Sequence, residues 1–206
     1  MGRQVDFYFS MVSPWVYVGD KVFNELIAKH ALEVTYKPMG LMGVFEETGG
    51  VHPTKRHASR QAIRWLELQR WRDERGLELN LKPKYWPFDF PRADCLVIAA
   101  IQAGHNPARF ISLGVHALWV KERNLADHAT LIELADSAGL AGEQLLEQAG
   151  SDAVRQRYDE ITREAIEGGV FGSPTVILDG EAFWGQDRYH QLDAALTSGR
   201  AAYRPL

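Results

Sequence analysis

The sequence predicts an α/β fold: a mixed β-sheet supplied by the two ends of the chain, with a block of helices inserted between them. Three observations carry this expectation. At the amino end, Val5–Phe9 is apolar and rich in β-formers, Pro14–His30 has helical character, and Val34–Lys37 is a second short strand, which together make a βαβ opening. At the carboxyl end, Thr175–Asp179 and Glu181–Trp184 flank Asp179-Gly180, a dipeptide that signals a tight hairpin. Between these ends the pattern is helical throughout. A parallel crossover joined to an antiparallel hairpin gives a mixed sheet, and so much helix must cover it.

The elements follow in order. Thr54–Arg75 is a long amphipathic helix that stops at Gly76. Ala93–Ala103 stops at Gly104, and its unbroken "CLVIAAI" requires burial on most sides. Asn106 and Pro107 read as an N-cap and first helical residue, followed at helical spacing by Phe110, Leu113, Gly114, Ala117 and Leu118. Further helices cover Thr130–Ala138, Gly142–Ala149 and Asp152–Glu167, the last with Val154, Tyr158, Ile161 and Ala165 on one stripe. A final helix, Asp187–Thr197, carries Tyr189, Leu192 and Leu196 on one side. This is the order of a thioredoxin-like domain, 1–40 with 170–206, interrupted by a helical insertion subdomain, 41–169.

Composition narrows the function classes. A 206-residue chain can bury a sizeable core, and 46% hydrophobic with 24% charged residues is ordinary for a globular protein. A net charge of −4 gives no general attraction to nucleic acid or an anionic membrane. The single cysteine, Cys95, excludes an intramolecular disulfide and a cysteine cluster for zinc. No run of about 18 apolar residues appears, and the amino terminus is too polar for a signal peptide, so a soluble, cytoplasmic protein is expected. "RQAIRWLELQRWRDERG" interleaves Arg and Trp as nucleic-acid binders do, but at helical spacing it reads as an amphipathic helix with Arg stems along its rim. His52 with His57, and Asp187 with His190, lack the further ligands a metal needs.

"FYFSMVSPWVYVGD" holds the strongest chemical signal. In a thioredoxin-type redox protein the join of strand and helix would carry Cys-x-x-Cys; here it reads Ser13-Pro14-Trp15-Val16. Ser13 is expected to be the N-cap with Pro14 at the first helical position. A serine hydroxyl can also donate to a bound anion, and the thiolate of a small thiol cofactor suits the magnitudes. Lowering a thiol pKa from ~8.5 by ~1.5 units takes ~2 kcal/mol. A hydrogen bond to a charged group contributes ~1.5–3 kcal/mol and a helix N-terminus ~0.3–1. Ser173-Pro174 stands just before the penultimate strand, where thioredoxin-like folds keep a cis proline; frequency alone, about 5–6% cis among X–Pro bonds, favours trans. The Ser173 backbone there can pair with an extended peptide, and glutathione is such a peptide.

"VDFYFSMVSPWVYVGD", "LELQRWRDERGLELNLKP" and "GVFGSPTVILDGEAFWGQDRYHQL" together resemble the 2-hydroxychromene-2-carboxylate isomerases, relatives of kappa-class glutathione transferases and DsbA oxidoreductases, from Val5 to Leu196. The resemblance implies a DsbA-like fold and an enzyme that uses glutathione as a cofactor. In such enzymes the thiolate adds to the conjugated side chain of a hydroxychromene carboxylate, the ring opens, rotation follows, and elimination releases trans-o-hydroxybenzylidenepyruvate in aromatic-compound degradation. It further implies that Ser13 stabilises the sulfur, that Ser173 and Pro174 pair with the cysteinyl backbone, and that Gln186 and Asp187 hold the γ-glutamyl group. Lys84 or Lys82 would reach the glycyl carboxylate, and a homodimer is implied. Gly50 stands where many relatives carry Asn after Thr-Gly, and Ser173 replaces a commonly apolar residue. Trp65, Trp86 and Trp119 are candidates to line a pocket for the aromatic acid, and Trp15 serves as core or pocket wall. The same thiolate site permits a kappa-like transferase or peroxidase, or a non-catalytic glutathione-binding module. A disulfide oxidoreductase is set aside because Val16 occupies the resolving position.

Overall fold

The structure, a computed structural model, describes residues 2–86 and 91–205. Strand β1 (Gln4–Phe9) leads into α1 (Pro14–His30) and returns as β2 (Glu33–Pro38), parallel to β1 with Val5 opposite Val34 and Phe7 opposite Tyr36. The hairpin of β3 (Thr175–Leu178) and β4 (Glu181–Trp184) completes a sheet of order β2-β1-β3-β4, with β3 antiparallel to β1. Asp179 and Gly180 turn the hairpin with φ of 51° and 81°, the positive pair that a two-residue turn between twisted strands needs. Inner strand β1 is paired on both sides, and Val5, Phe7, Tyr8 and Phe9 are all buried. Phe7 stacks on Phe9 at 4.9 Å and on Phe23 of α1 at 4.4 Å, which fastens the crossover helix to the sheet. The mixed sheet with its helical block agrees with the sequence expectation.

Helices α2 (Leu41–Thr48), α3 (Ala58–Glu74), α4 (Arg92–Gln102), α5 (Ala108–Trp119), α6 (His128–Ser137), α7 (Gly142–Ala149) and α8 (Asp152–Glu167) fill the middle, and α9 (Tyr189–Ser198) closes the chain. Three boundaries depart from expectation, the simplest being α6, which begins at His128 rather than Thr130 because the Asp127 side chain caps it. The single helix expected over Thr54–Arg75 is divided into a 3-10 turn, Pro53–Lys55, and α3. Between them Arg56 is extended, and the His52 and His57 rings accept hydrogen bonds from the N–H groups of Thr54 and Ser59, each at 3.3 Å. Side-chain acceptors thus take the first-turn donors and restart the helix. Helix α9 begins two residues later than expected because Gln186–Arg188 forms its own 3-10 turn. Helix α2 has no counterpart in the sequence reading.

The core is continuous. Buried residues of β1 and α1 join those of α4 to α9 in one apolar cluster, with α4 and α8 against β2 and α1 against α5 and α9. At ~1.5–3 kcal/mol for each large side chain removed from water, this cluster is the main favourable contribution to folding. It also fixes where the site can be, since the start of α1 is enclosed by α2, α3, α4 and α8. Among the described residues no helix is long and apolar enough to cross a membrane.

Candidate active site

Ser13 lies at the start of α1, 4% exposed, in extended backbone geometry. The expected side-chain cap is absent: the Ser13 hydroxyl donates instead to the Ser173 carbonyl at 3.1 Å. The helix start explains the difference. Pro14 has no N–H to satisfy, and the Val16 N–H is taken by the Ser13 carbonyl at 3.2 Å, so the hydroxyl is left to bond across the fold. The Ser173–Pro174 peptide is cis, and the Ser173 hydroxyl accepts from the Ser10 N–H at 3.0 Å. Ser13, Ser173 and Pro174, remote in sequence, are therefore brought together as expected.

Behind this pair lies a carboxyl that sequence reasoning missed. Asp94, in the first turn of α4, accepts from the Ser10 hydroxyl at 2.7 Å, the Met11 N–H at 2.9 Å and the Tyr158 hydroxyl. Burial pushes its pKa up to about 7, against the opposing pull of those hydrogen bonds. Its sequence signal was a lone acid leading an otherwise apolar helix. Next to it, burial and then the Asp94 charge push the Cys95 thiol up to about 12. The protein's own sulfur cannot supply a thiolate near neutral pH, so thiolate chemistry here needs a borrowed thiol.

Ser10, Ser13, Asp94, Tyr158 and Ser173 edge a cleft of about 510 Å³. Its apolar wall includes Trp15, Leu41, Met42, Phe45 and Trp86, and two cations, Arg56 and Arg64, reach into it. A hydroxyl beside the buried Ser173 peptide, opening into an aromatic space, suits a small thiol placed next to a flat apolar substrate.

The DSBA-like thioredoxin domain model matches residues 4–197. The chain belongs to that family. Its sequence is 30% identical to a 2-hydroxychromene-2-carboxylate isomerase of Pseudomonas putida, over 93% of each chain. It is 21% identical to glutathione S-transferase kappa 1 of Caenorhabditis elegans, over 92% of this chain and 88% of that one. The solved structure of a 2-hydroxychromene-2-carboxylate isomerase superposes with a TM-score of 0.77 at 27% identity, covering 95% of both chains. This DSBA-like chain thus groups with the isomerases that its motifs resemble.

The remaining expected site residues fall in two places. Gln186 and Asp187 lie next to the Ser173–Pro174 segment, tied to it by the Gly185 N–H donating to the Pro174 carbonyl at 2.8 Å. Gln186 is 2% exposed, and its buried Oε1 has no hydrogen-bond partner among the described residues. Asp187 pairs with Arg188 at 2.7 Å and stays partly exposed. Lys84 and Lys82 are not brought to the cleft lining: the Lys84 ammonium sits over the Tyr85 ring at 5.0 Å, and that of Lys82 over Trp65 at 5.8 Å. The cleft's cations are Arg64, which the sequence reading had assigned only to a helix rim, and Arg56, which it had not singled out. Trp119 is fully buried core rather than pocket lining, while Trp15 and Trp86 do line the cleft. At Gly50 a Cβ would meet the Phe45 ring at 2.6 Å, so Phe45 fills the space that a side chain there would need.

Proposed function

We propose that the protein is a glutathione-dependent cis–trans isomerase that interconverts 2-hydroxychromene-2-carboxylate and trans-o-hydroxybenzylidenepyruvate, or a close analogue. The observation that carries this reading is the Ser13 hydroxyl, held 3.1 Å from the Ser173 carbonyl at the edge of an aromatic cleft. The residues fit a thiol tripeptide. The Ser173 backbone offers an edge for the cysteinyl unit, Asp187 supplies a charge opposite to the γ-glutamyl ammonium, and the buried Gln186 Oε1, unpartnered among the described residues, would accept from that ammonium once its side chain turned outward. When bound, glutathione would supply a thiolate able to add reversibly to a conjugated double bond and so permit rotation about it.

Ser13 acts by turning its hydroxyl from the Ser173 carbonyl toward the sulfur. The turn gives up a neutral hydrogen bond of ~0.5–1.5 kcal/mol and gains a charge-assisted one of ~1.5–3. The helix start contributes a further ~0.3–1 kcal/mol. The net of ~1–2 kcal/mol corresponds to a thiol pKa lowered by about one unit. Asp94 holds Ser10 and Met11, the residues that lead into Ser13, and the wall of Trp15, Phe45 and Trp86 keeps water from the reacting carbons.

The test is the ultraviolet absorbance of bound glutathione thiolate against pH. Wild type is expected to lower the thiol pKa by about one unit and Ser13→Ala to return it toward ~8.5. An unshifted thiol in wild type would reduce Ser13 to a packing residue. The kappa-type relative keeps a second reading open, a transferase or peroxidase on the same site. Stoichiometric loss of glutathione to a conjugate, with no isomerised product, would favour it. The homodimer implied by the family resemblance belongs to this proposal, and sedimentation at micromolar concentration tests it.

A further inference from the structure

Two arginines of the cleft have no part in the reading above. Arg64, on α3, lies between two indoles, its guanidinium carbon 4.9 Å from the Trp65 ring centre and 4.9 Å from that of Trp86. Arg56 donates Nε to the Val51 carbonyl at 2.8 Å and packs over Phe45 at 5.6 Å. Among the described residues neither has a carboxylate within ion-pair distance. Burial, and then the nearby Arg56 charge, lower the Arg64 pKa to about 10, so at neutral pH it is still charged.

This arrangement is costly on its own and suited to an anion. The Arg56 charge acts on Arg64 beside aromatic walls, and both guanidiniums are partly buried. The two indoles flank the Arg64 guanidinium, and its N–H groups, which can pair bidentately with a carboxylate, have no protein acceptor among the described residues. The same cleft contains Ser13, so an acid held at Arg64 would lie with its conjugated carbons toward the sulfur position.

We propose that Arg64, flanked by Arg56, binds the carboxylate of the aromatic acid and thereby sets which end of it faces Ser13. The inference rests on the isomerase reading and deepens it by assigning the residues that select an acid over a neutral ring compound. The planar fork matters as well as the charge, so lysine is expected to replace Arg64 only in part.

Calorimetric titration of the glutathione-loaded protein tests this, with trans-benzylidenepyruvate as probe because it lacks the ring hydroxyl needed for closure. Its methyl ester is the neutral control. Arg64→Met is expected to weaken the acid by at least about tenfold, Arg64→Lys by less, and neither to change affinity for the ester or for glutathione. Equal loss of acid and ester would make Arg64 a packing residue and overturn the assignment. Loss of glutathione affinity with acid binding intact would move the arginine to the glycyl carboxylate and overturn it likewise. If wild type bound neither acid nor ester while still lowering the thiol pKa through Ser13, the substrate reading would fall together with the arginine's role, and the thiol site would stand.

Discussion

At Asp94 a carboxyl accepts from Ser10, Met11 and Tyr158, with no cation shown among its hydrogen-bond partners in the described residues. Its pKa is about 7 in the folded protein, against ~3.9 for an unfolded aspartate. The unfolded chain therefore loses this proton first. Stability from the group is fully present below pH ~4, falls as pH rises toward about 7, and is flat above that. The loss is on the order of 4 kcal/mol. Asp94→Asn keeps the shape, with its carbonyl accepting from Met11 and its amide donating to Ser10, but removes the titration. The variant's melting temperature, measured from pH 4 to 8, should therefore fall less than that of wild type; parallel profiles would show that Asp94 does not titrate in this range. Sequence pattern could place Ser13 at a helix start because that is a local signal. It could not supply the hydroxyl's acceptor, which lies 160 residues away at Ser173, or reveal that Arg64 turns from the helix rim into a slot between two tryptophans.

Elements were legible where the signal is local and strong. Pro14 at the start of α1, Asp179-Gly180 between β3 and β4, and the apolar run of α4 each mark their element without help from the rest of the chain. The break before α3 was hidden because its stop signals are histidine rings accepting backbone N–H groups, a role rarely given to histidine. Helix α2 was hidden because its eight residues contain a glycine and no polar cap. The contact of α5 with the loop before α1 is equally invisible in a pattern, yet it tightens the site. A Cβ at Gly114 of α5 would run into the Met11 side chain, which is fully buried, and the Met11 N–H is what Asp94 holds. Gly114→Val should therefore overpack this contact and destabilise by ~1–3 kcal/mol in urea unfolding. It should also weaken glutathione, because a displaced Met11 disturbs the N–H that Asp94 holds beside Ser10. A variant of wild-type stability and affinity would show that Met11 repacks freely.

The site draws on every part of the molecule. Ser13 comes from the amino end, Asp94 and Arg64 from the inserted helices, and Ser173 from the carboxyl end. Order along the chain suggested two units, 1–40 with 170–206 and 41–169, because sequence shows where elements lie but not how their buried faces merge. The structure joins them through one apolar cluster that runs from Phe7 and Phe9 on β1 to Leu96 on α4, Trp119 on α5 and Ile161 on α8. Cutting that cluster would expose large faces on both sides, so neither part is expected to melt while the other stays folded. In urea, tryptophan fluorescence, to which Trp65, Trp71, Trp86 and Trp119 contribute from the insertion and Trp15 and Trp184 from the rest of the chain, should follow the same curve as far-ultraviolet circular dichroism. Glutathione at about 100 times its dissociation constant should displace both curves together, by ~2.7 kcal/mol. Two separated transitions, or a ligand shift confined to one probe, would mean that the insertion folds independently. The alignment of Ser13 with Arg64 would then depend on how two units dock, and mutations remote from the cleft, at the contacts of α4 and α8 with β2, would alter binding of the acid without altering binding of the thiol.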